Sequence, residues 1–304
     1  MNDARVIERL RGRLADAGLA SVSFLVRDLA TGREIGIDPT LEFPIASLVK
    51  VPLAVAVLER IHAGALDGAR MIEILPGQGG SPGQVGLSRF RHPASMAVED
   101  LLYLSVAISD NVATDALFKL VPPADVTRTM RDTGISGITV RHLMRDLTDS
   151  PTDRLDQDSV HLAHALAIGS RTPGRGHPLP QLDISRANIA SARALVDLLE
   201  ALWTTSTIPA PVAARVRELL SGNILQQRLA PDFKSDDSRW SSKTGTLLNL
   251  RHEAGVVEHE DGGVFAVVAL TESSVPAASQ PAAEAIMGSV ARALHDHLRA
   301  GLFA

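Results

Sequence analysis

The sequence predicts an α+β fold, an α/β-α sandwich in which a mixed antiparallel sheet is flanked by the N- and C-terminal helices and an all-helical lobe is inserted. Strand-like alternation occurs near both ends of the chain, within residues 21–37 and 239–271. Between them, residues 47–220 are dominated by helical periodicity. A sheet built from both chain ends needs helices to cover it, and helical segments at the two termini can do so.

The N-terminal segments predict a helix followed by a hairpin. Residues 3–17 have apolar side chains at helical spacing, namely Val6, Ile7, Leu10 and Leu14. Residues 21–28 and 34–37 are predicted strands around the turn Ala30-Thr31-Gly32-Arg33. The apolar run 47–61 is a predicted helix, with Ser47 as its cap.

The remaining chain predicts more helices and a terminal group of strands. Helices are predicted over residues 98–107, 124–134, about 158–168, 189–203, 210–220 and 280–299, and strands over 239–246, 253–259 and 264–271. Residues 148–183 lack periodicity, and such long irregular stretches are more often functional than not. We expect a single domain over 1–304, with an α/β lobe of about 1–45 plus 205–304 and a helical lobe of about 46–204.

Composition argues against several classes of function. The formal charge of -5 argues against nucleic acid as a partner. The absence of cysteine excludes disulfides and thiol catalysis, and no run approaches the ~20 apolar residues of a membrane span. His161 and His164 have no convincing third ligand, so we expect a small-molecule substrate with no metal, cofactor or membrane partner. No signal peptide is recognisable, so the expected location is cytoplasmic, or periplasmic or secreted if a leader has been removed.

Ser47-Leu48-Val49-Lys50 can supply a nucleophile and its base. A serine at a helix start lies beside free backbone N–H groups, which stabilise an oxyanion. Lys50 follows one turn later on the same face, and an apolar environment should lower the pKa of its amine. The alternative is a solvent-facing lysine on a helix that happens to begin with serine.

Ser109-Asp110-Asn111 forms a polar junction between two helical runs. The serine hydroxyl there can pass a proton to a leaving nitrogen, and the Asn111 amide can bind both substrate and Lys50. The alternative is a simple helix cap, which all three residue types favour. Both can hold together.

Lys243-Thr244-Gly245-Thr246 lies on a predicted strand. Lys243 offers a charge for a carboxylate, Thr244 offers a hydroxyl, and Gly245 permits close backbone approach. An extended peptide or ring amide can pair along such an edge. The alternative is an ordinary surface strand.

In this order the three motifs resemble those of the serine β-lactamase and penicillin-binding protein superfamily, most closely the class A β-lactamases. Phe43-Pro44-Ile45-Ala46 and Gln226-Gln227-Arg228-Leu229 are also similar, and the resemblance covers most of the chain except a gap near 148–185. It implies a β-lactamase/transpeptidase-like fold. It also implies that Ser47 is the acylated nucleophile, Lys50 its proton partner and Ser109 a proton shuttle. The substrate side would be lined by Asn111, Lys243, Thr244, Gly245, Thr246 and Arg251, with an oxyanion hole from the N–H groups of Ser47 and Thr246.

Residues 141–148 depart from the class A pattern. The family has an E-x-x-L-N motif whose glutamate orients the hydrolytic water, and this chain has no glutamate there. Asp146 is a candidate deacylation base, although a side chain one methylene short is misplaced by ~1.5 Å and ~1 Å can cost ~100-fold in rate. His142 is a second candidate base, and Asp183 a candidate remnant of the acid that staples this loop. A structural role is the alternative for Asp146 and for His142.

We therefore expect a serine hydrolase of the class A type, acylated on Ser47 with Lys50 as base, that hydrolyses a β-lactam or a related amide or ester. The first alternative is an esterase or amidase of a biosynthetic pathway, which the missing glutamate favours. The second is a penicillin-binding or sensor protein that is acylated and deacylates poorly.

Overall fold

The computed structural model describes residues 2–76, 85–147, 160–169, 176–177, 179–275 and 279–301. Much of the irregular stretch predicted at 148–183 lies outside these ranges. The helices are α1 (Asp3–Asp16), α2 (Lys50–His62), α3 (Val98–Ala107), α4 (Asn111–Leu120), α5 (Pro123–Asp132), α6 (Val160–Gly169), α7 (Ala192–Trp203), α8 (Ala210–Ser221), α9 (Ala230–Phe233) and α10 (Pro281–Ala300). The strands are β1 (Leu19–Asp28), β2 (Glu34–Ile37), β3 (Glu42–Pro44), β4 (Met71–Ile74), β5 (Ala94–Ala97), β6 (Ile189–Ser191), β7 (Ser238–Leu247), β8 (Leu250–His259) and β9 (Val264–Ser273).

The main sheet joins the two ends of the chain. Its strand order is β2-β1-β9-β8-β7, and each pair of neighbours is antiparallel. The predicted N-terminal hairpin and the predicted group of C-terminal strands are therefore confirmed, together with the α+β class. β7, which carries Lys243, lies at one edge of this sheet.

Apolar side chains cover both faces of the sheet. On one face, Val256 and Val268 belong to a core that also holds α2 and α7. On the other face, Val257 and Val267 pack with residues of α1 and α10. Because successive strand residues point to opposite faces, one sheet can separate these two cores. The terminal helices flank the sheet as the sequence predicts.

Two predictions about local structure are wrong. Ser47 does not cap α2: a 3-10 turn, Ala46–Val49, precedes the helix, whose cap residue is Val49, without a side-chain bond. Ser47 lies inside this turn and not at the residue that flanks the start of a helix, which is the position of a capping serine. In the predicted helix 189–203, the first three residues form β6 instead.

β6 and His252 hold the segment that leads to Ser47. β3 pairs antiparallel with β6, and Ile45 N donates to Asn188 O at 2.9 Å. Nε2 of the buried His252 bonds Pro44 O at 2.9 Å. The position of the Ser47 turn is thus fixed from two sides. In the described part of the chain, no helix is long and apolar enough to cross a membrane.

His252 should make folding stability depend on pH. Burial lowers the pKa of His252 to about 3, and its Nδ1 already accepts from Thr271 N at 3.2 Å, so a second ring proton has no acceptor. An unfolded histidine titrates near ~6.5. Below that pH, His252 is protonated in the unfolded chain but stays neutral in the folded chain. The free energy of unfolding therefore decreases as the pH falls, by ~2 kcal/mol at pH ~5.

Urea unfolding at pH ~7.5 and ~5 measures this contribution in the wild type and in His252→Gln. The wild type should lose ~2 kcal/mol more than the variant between the two pH values. Equal losses would show that His252 is not responsible. The comparison uses each protein's own change with pH, so a lower absolute stability of the variant does not affect it.

Candidate active site

Ser47 lies in the 3-10 turn Ala46–Val49, where Leu48 and Val49 are fully buried and anchor the turn in the core. The Ser47 side chain itself is half-buried. Within the described ranges its hydroxyl has no hydrogen-bond partner. Ala46, the residue before Ser47, has a left-handed backbone conformation. This conformation costs energy in a residue other than glycine and is often found at functional sites.

Lys50 begins α2 and has no exposed surface. Its Nζ lies 2.7 Å from Ser109 O, 2.7 Å from Asn111 Oδ1 and 3.1 Å from Ser109 Oγ. Burial and the neighbouring Lys243 ammonium lower the pKa of Lys50 well below its usual range. A neutral amine fits these contacts, because its two hydrogens meet the two carbonyl oxygens and its lone pair can accept from the Ser109 hydroxyl.

Lys243 approaches the same serine from β7. It has no exposed surface, and its Nζ donates to Ser109 Oγ and to Thr244 O, both at 3.0 Å. Burial, reinforced by the nearby charge of Arg228, lowers the pKa of Lys243 to about 7. Ser109 Oγ therefore lies between two amines, which is the arrangement needed to relay a proton.

The junction that presents Ser109 is held by Asp110. Asp110 Oδ1 accepts from Ala113 N at 3.0 Å and so caps α4, while Oδ2 accepts from Leu87 N at 2.6 Å. Ser109 itself has φ +61. The cap interpretation of this motif is therefore confirmed for Asp110, and Ser109 and Asn111 contact Lys50. Their roles in catalysis and in substrate binding stay predictions.

Gly245 allows β7 to pack against the Ser47 turn. A Cβ at Gly245 would lie 2.8 Å from Ile45 O and 3.2 Å from Leu48 Cγ. The backbone Ile45 O cannot move without displacing the chain just before Ser47. Only glycine permits this approach, as the sequence predicts for the position.

Arg228 was not identified as a site residue from the sequence, where it stands out only as part of a segment similar to class A enzymes. Its side chain is buried, and Nη2 donates to Thr246 Oγ1 at 2.6 Å. Nη1 donates to Gly245 O, and Nε to Glu284 Oε1 at 2.9 Å. Arg228 therefore places a positive charge directly beside the Lys243-Thr244-Gly245-Thr246 strand.

Arg251, predicted to lie beside a substrate carboxylate, pairs with Thr246 in the sheet register. Its guanidinium donates to Leu248 O at 2.6 Å and Leu250 O at 2.8 Å, and lies 3.8 Å from Glu284. The arginine that donates a hydrogen bond to Thr246 Oγ1 is Arg228. A substrate role for Arg251 stays a prediction.

The candidate deacylation residues have other partners. Asp146 Oδ2 accepts from Leu143 N at 2.9 Å, and within the described ranges its carboxylate does not bond Lys50, Ser109 or Asn111. His142 uses both ring nitrogens, bonding Leu143 O through Nδ1 and accepting from Asn188 N through Nε2. These contacts favour the structural alternative for His142.

Two other carboxylates near this segment are also engaged. Asp183 accepts from Ser185 N, Ser185 Oγ and Gly176 N, and no arginine of the described part donates to it. Asp115 on α4 accepts from Met144 N at 2.7 Å and Arg145 N at 3.0 Å. The side chains of His161 and His164 lie outside the described residues, and the described residues contain no group of three potential metal ligands.

Comparisons with known proteins agree on one family. The model of the family described as "Beta-lactamase enzyme family" matches residues 5–298. The beta-lactamase regulatory protein BlaB of Streptomyces cacaoi is 58% identical over 310 residues, covering 98% of this chain and 99% of that protein.

Solved structures agree on the fold. A beta-lactamase from Sphaerobacter thermophilus superposes with TM-score 0.77 at 20% identity, covering 97% of this chain and 98% of the other. A variant of the last common ancestor of Gram-negative class A beta-lactamases gives TM-score 0.77 at 21% identity, covering 98% and 99% of the two chains.

The lowered pKa of Lys243 can be measured directly. In a ¹³C NMR pH titration of the lysine side chains, the signal lost in Lys243→Arg should titrate near pH 7 because burial disfavours the ammonium. A Lys243 signal that titrates near 10.4, roughly the value of a lysine in a model peptide, would contradict the electrostatics described for this site.

Proposed function

Because this chain belongs to the beta-lactamase enzyme family and has the fold of the class A enzymes, we propose that β-lactams acylate Ser47 and that the acyl-enzyme is hydrolysed slowly. The protein would then respond to β-lactams as a binding protein more than it destroys them. The observation that carries this proposal is the contrast between the two halves of the site. Lys50 and Lys243 converge on Ser109, whereas Asp146, the one carboxylate of residues 141–147, accepts from Leu143 N.

Acylation uses the groups bonded to Ser109. Ser47 Oγ attacks the lactam carbonyl carbon and gives its proton to the neutral amine of Lys50, which follows three residues later at the start of α2. The C–N bond of the ring breaks, and the ring nitrogen takes the Ser109 proton. Ser109 recovers a proton from Lys50 Nζ, 3.1 Å away. At the end of this step Lys50 is neutral and Ser109 carries its proton again, and only Ser47 is changed, because it is acylated.

The substrate carboxylate is held by positive charge at the strand β7. Lys243 is on the same strand as Thr246, and the buried Arg228 donates from Nη2 to Thr246 Oγ1 at 2.6 Å. A carboxylate placed against Thr244 and Thr246 receives hydroxyl donors in a positive field. It would also favour the protonated Lys243, whose pKa of about 7 lets it change charge on binding.

We expect slow deacylation because, among the described residues that follow the Ser109 motif, no carboxylate bonds Lys50, Ser109 or Asn111. The chain has no glutamate between Glu99 and Glu200, so the segment after the Ser109 motif cannot supply the class A residue. Asp146 and Asp115 already accept from backbone N–H groups. A relative that is 58% identical is described as a regulatory protein, which supports a sensing role over rapid hydrolysis.

Intact-mass spectrometry after mixing with benzylpenicillin tests the proposal. We expect roughly one adduct per chain that persists for minutes or longer, because acylation is catalysed and deacylation is not. Ser47→Ala should remove the adduct. Ser221→Ala, an exposed serine at the end of α8, should keep it. Rapid release of hydrolysed penicillin without a lasting adduct would contradict slow deacylation, and an adduct in Ser47→Ala would contradict the nucleophile.

The variant Asp146→Asn distinguishes slow deacylation without a base from hydrolysis in which Asp146 acts as the base. The asparagine Oδ1 can still accept from Leu143 N, so the fold should be kept. If no base is positioned, the adduct lifetime changes by less than ~3-fold, far below the ~100-fold effect expected for a positioned catalytic group. A lifetime ~100-fold longer in Asp146→Asn would identify Asp146 as the deacylation base.

A further inference from the structure

Glu253 is a fully buried acidic residue that the acylation chemistry does not use. It lies on β8 opposite Thr244 of β7 and has no exposed surface. Because successive residues of a strand point to opposite faces of the sheet, Glu253 shares a face with Thr244 and not with Lys243. Its side chain is therefore outside the group that contacts Ser109, and any effect on the reaction has to pass through other residues.

The two oxygens of Glu253 join β7 to the segment that carries Arg228. Oε2 accepts from Leu229 N at 2.8 Å, and this amide directly follows Arg228 in the chain. Oε1 accepts from Ser242 Oγ at 2.7 Å, and Ser242 directly precedes Lys243. One side chain thus holds the immediate neighbours of both cations that we assign to the substrate carboxylate.

The hydrogen bonds identify Glu253 as a carboxylate. Burial raises its pKa, and its hydrogen-bond donors and the charge of Arg228 oppose that shift. Trp240 Nε1 donates to Oε1 at 2.9 Å. Asn223 Nδ2 donates to Ser242 Oγ at 3.1 Å, which leaves the hydroxyl hydrogen of Ser242 for Glu253. A proton on either Glu253 oxygen would therefore face donors and not an acceptor.

The buried anion acts on both cations. Burial lowers the pKa of Lys243, the charge of Arg228 lowers it further, and the charge of Glu253 raises it. Arg228 in turn favours the ionised form of Glu253. Glu284 pairs with Arg228 at 2.9 Å from Nε. Without Glu253, the repulsion between Arg228 and Lys243 would favour the neutral amine of Lys243, which attracts a carboxylate less.

We propose that Glu253 is a positioning residue for the substrate carboxylate: its buried anion fixes the segment that presents Arg228 to Thr246 and balances the positive charge of Arg228 and Lys243. Glu253 acts through these two residues and does not touch the substrate. The inference rests on the proposed acylation by β-lactams. It adds that a β-lactam whose carboxylate is masked as an ester gains nothing from Glu253.

Two substitutions separate the charge of Glu253 from its position. Glu253→Gln keeps the size and removes the charge. Glu253→Asp keeps the charge, but its carboxylate ends ~1.5 Å short and cannot reach both Leu229 N and Ser242 Oγ. Glu258→Gln, on the same strand opposite Arg239, removes a carboxylate elsewhere and is the matched control.

The ¹³C NMR titration of Lys243 tests the charge without any β-lactam. The Lys243 signal should titrate ~1 pH unit lower in Glu253→Gln than in the wild type, because an opposite charge has been removed. In Glu253→Asp and Glu258→Gln it should stay within ~0.3 pH unit of the wild type. Equal titration in the wild type and Glu253→Gln would overturn the proposal. A lowering in Glu253→Asp as large as in Glu253→Gln would assign the effect to packing and overturn it too.

The rates of adduct formation with benzylpenicillin and with its methyl ester test the position. Their ratio isolates the carboxylate, which only the acid offers. We expect the ratio to fall at least ~10-fold in Glu253→Gln and in Glu253→Asp, since each loses a hydrogen bond to a charged group. It should change less than ~2-fold in Glu258→Gln, where no such bond is lost.

A ratio equal to that of the wild type in the Glu253 variants would overturn the positioning role. Glu253→Asp alone decides by the same criterion if Glu253→Gln does not fold. If the wild type forms no adduct with either compound, the acylation proposal itself fails, whereas the Lys243 titration still shows whether Glu253 balances the charge of Lys243.

Discussion

Two buried lysines contact the same hydroxyl. Lys50 Nζ lies 3.1 Å from Ser109 Oγ and Lys243 Nζ lies 3.0 Å from it, and neither side chain has any exposed surface. A buried ammonium costs several kcal/mol unless it is paired or gives up its proton. The surroundings meet this constraint with carbonyl acceptors for Lys50 and with a lowered pKa for both amines. The start of α2, the junction between α3 and α4, and the edge strand β7 have to converge at this point, and the packing of Gly245 against the Ser47 turn brings the strand close enough.

The segment 141–147 is fixed by hydrogen bonds to residues outside the three motifs. Asp115 binds the N–H groups of Met144 and Arg145, which ties the segment to α4, and Asn188 Oδ1 accepts from Arg141 N at 2.7 Å. In class A enzymes the corresponding place carries the glutamate that orients water. Here His142 and Asp146 of this segment line a cavity together with Gln181 and Arg186. The changed loop therefore lacks the class A glutamate and borders a recess.

Local patterns in the sequence predicted much of the architecture. Alternation identified β1, β2 and the terminal strands, and helical spacing identified α1, α3 and α10, because each signal comes from neighbours in the chain. β3 and β6 were missed, since strands of three residues carry no periodic signal. The cap was assigned to the wrong residue at Ser47, because α2 is preceded by the 3-10 turn Ala46–Val49, which the apolar pattern does not distinguish from the helix itself.

For the site, the sequence by itself determined which residues are candidates for the chemistry: the spacing of Ser47, Lys50, Ser109 and Lys243 needs no structure to be recognised. Tertiary structure alone decided their protonation, because the pKa of an amine depends on what surrounds it. It also decided that Arg228 and not Arg251 donates to Thr246 Oγ1, and that Asp146 O meets Gln181 Nε2. Those contacts join residues 18 and 35 positions apart. No local pattern encodes such pairs, because they arise only when the whole core packs.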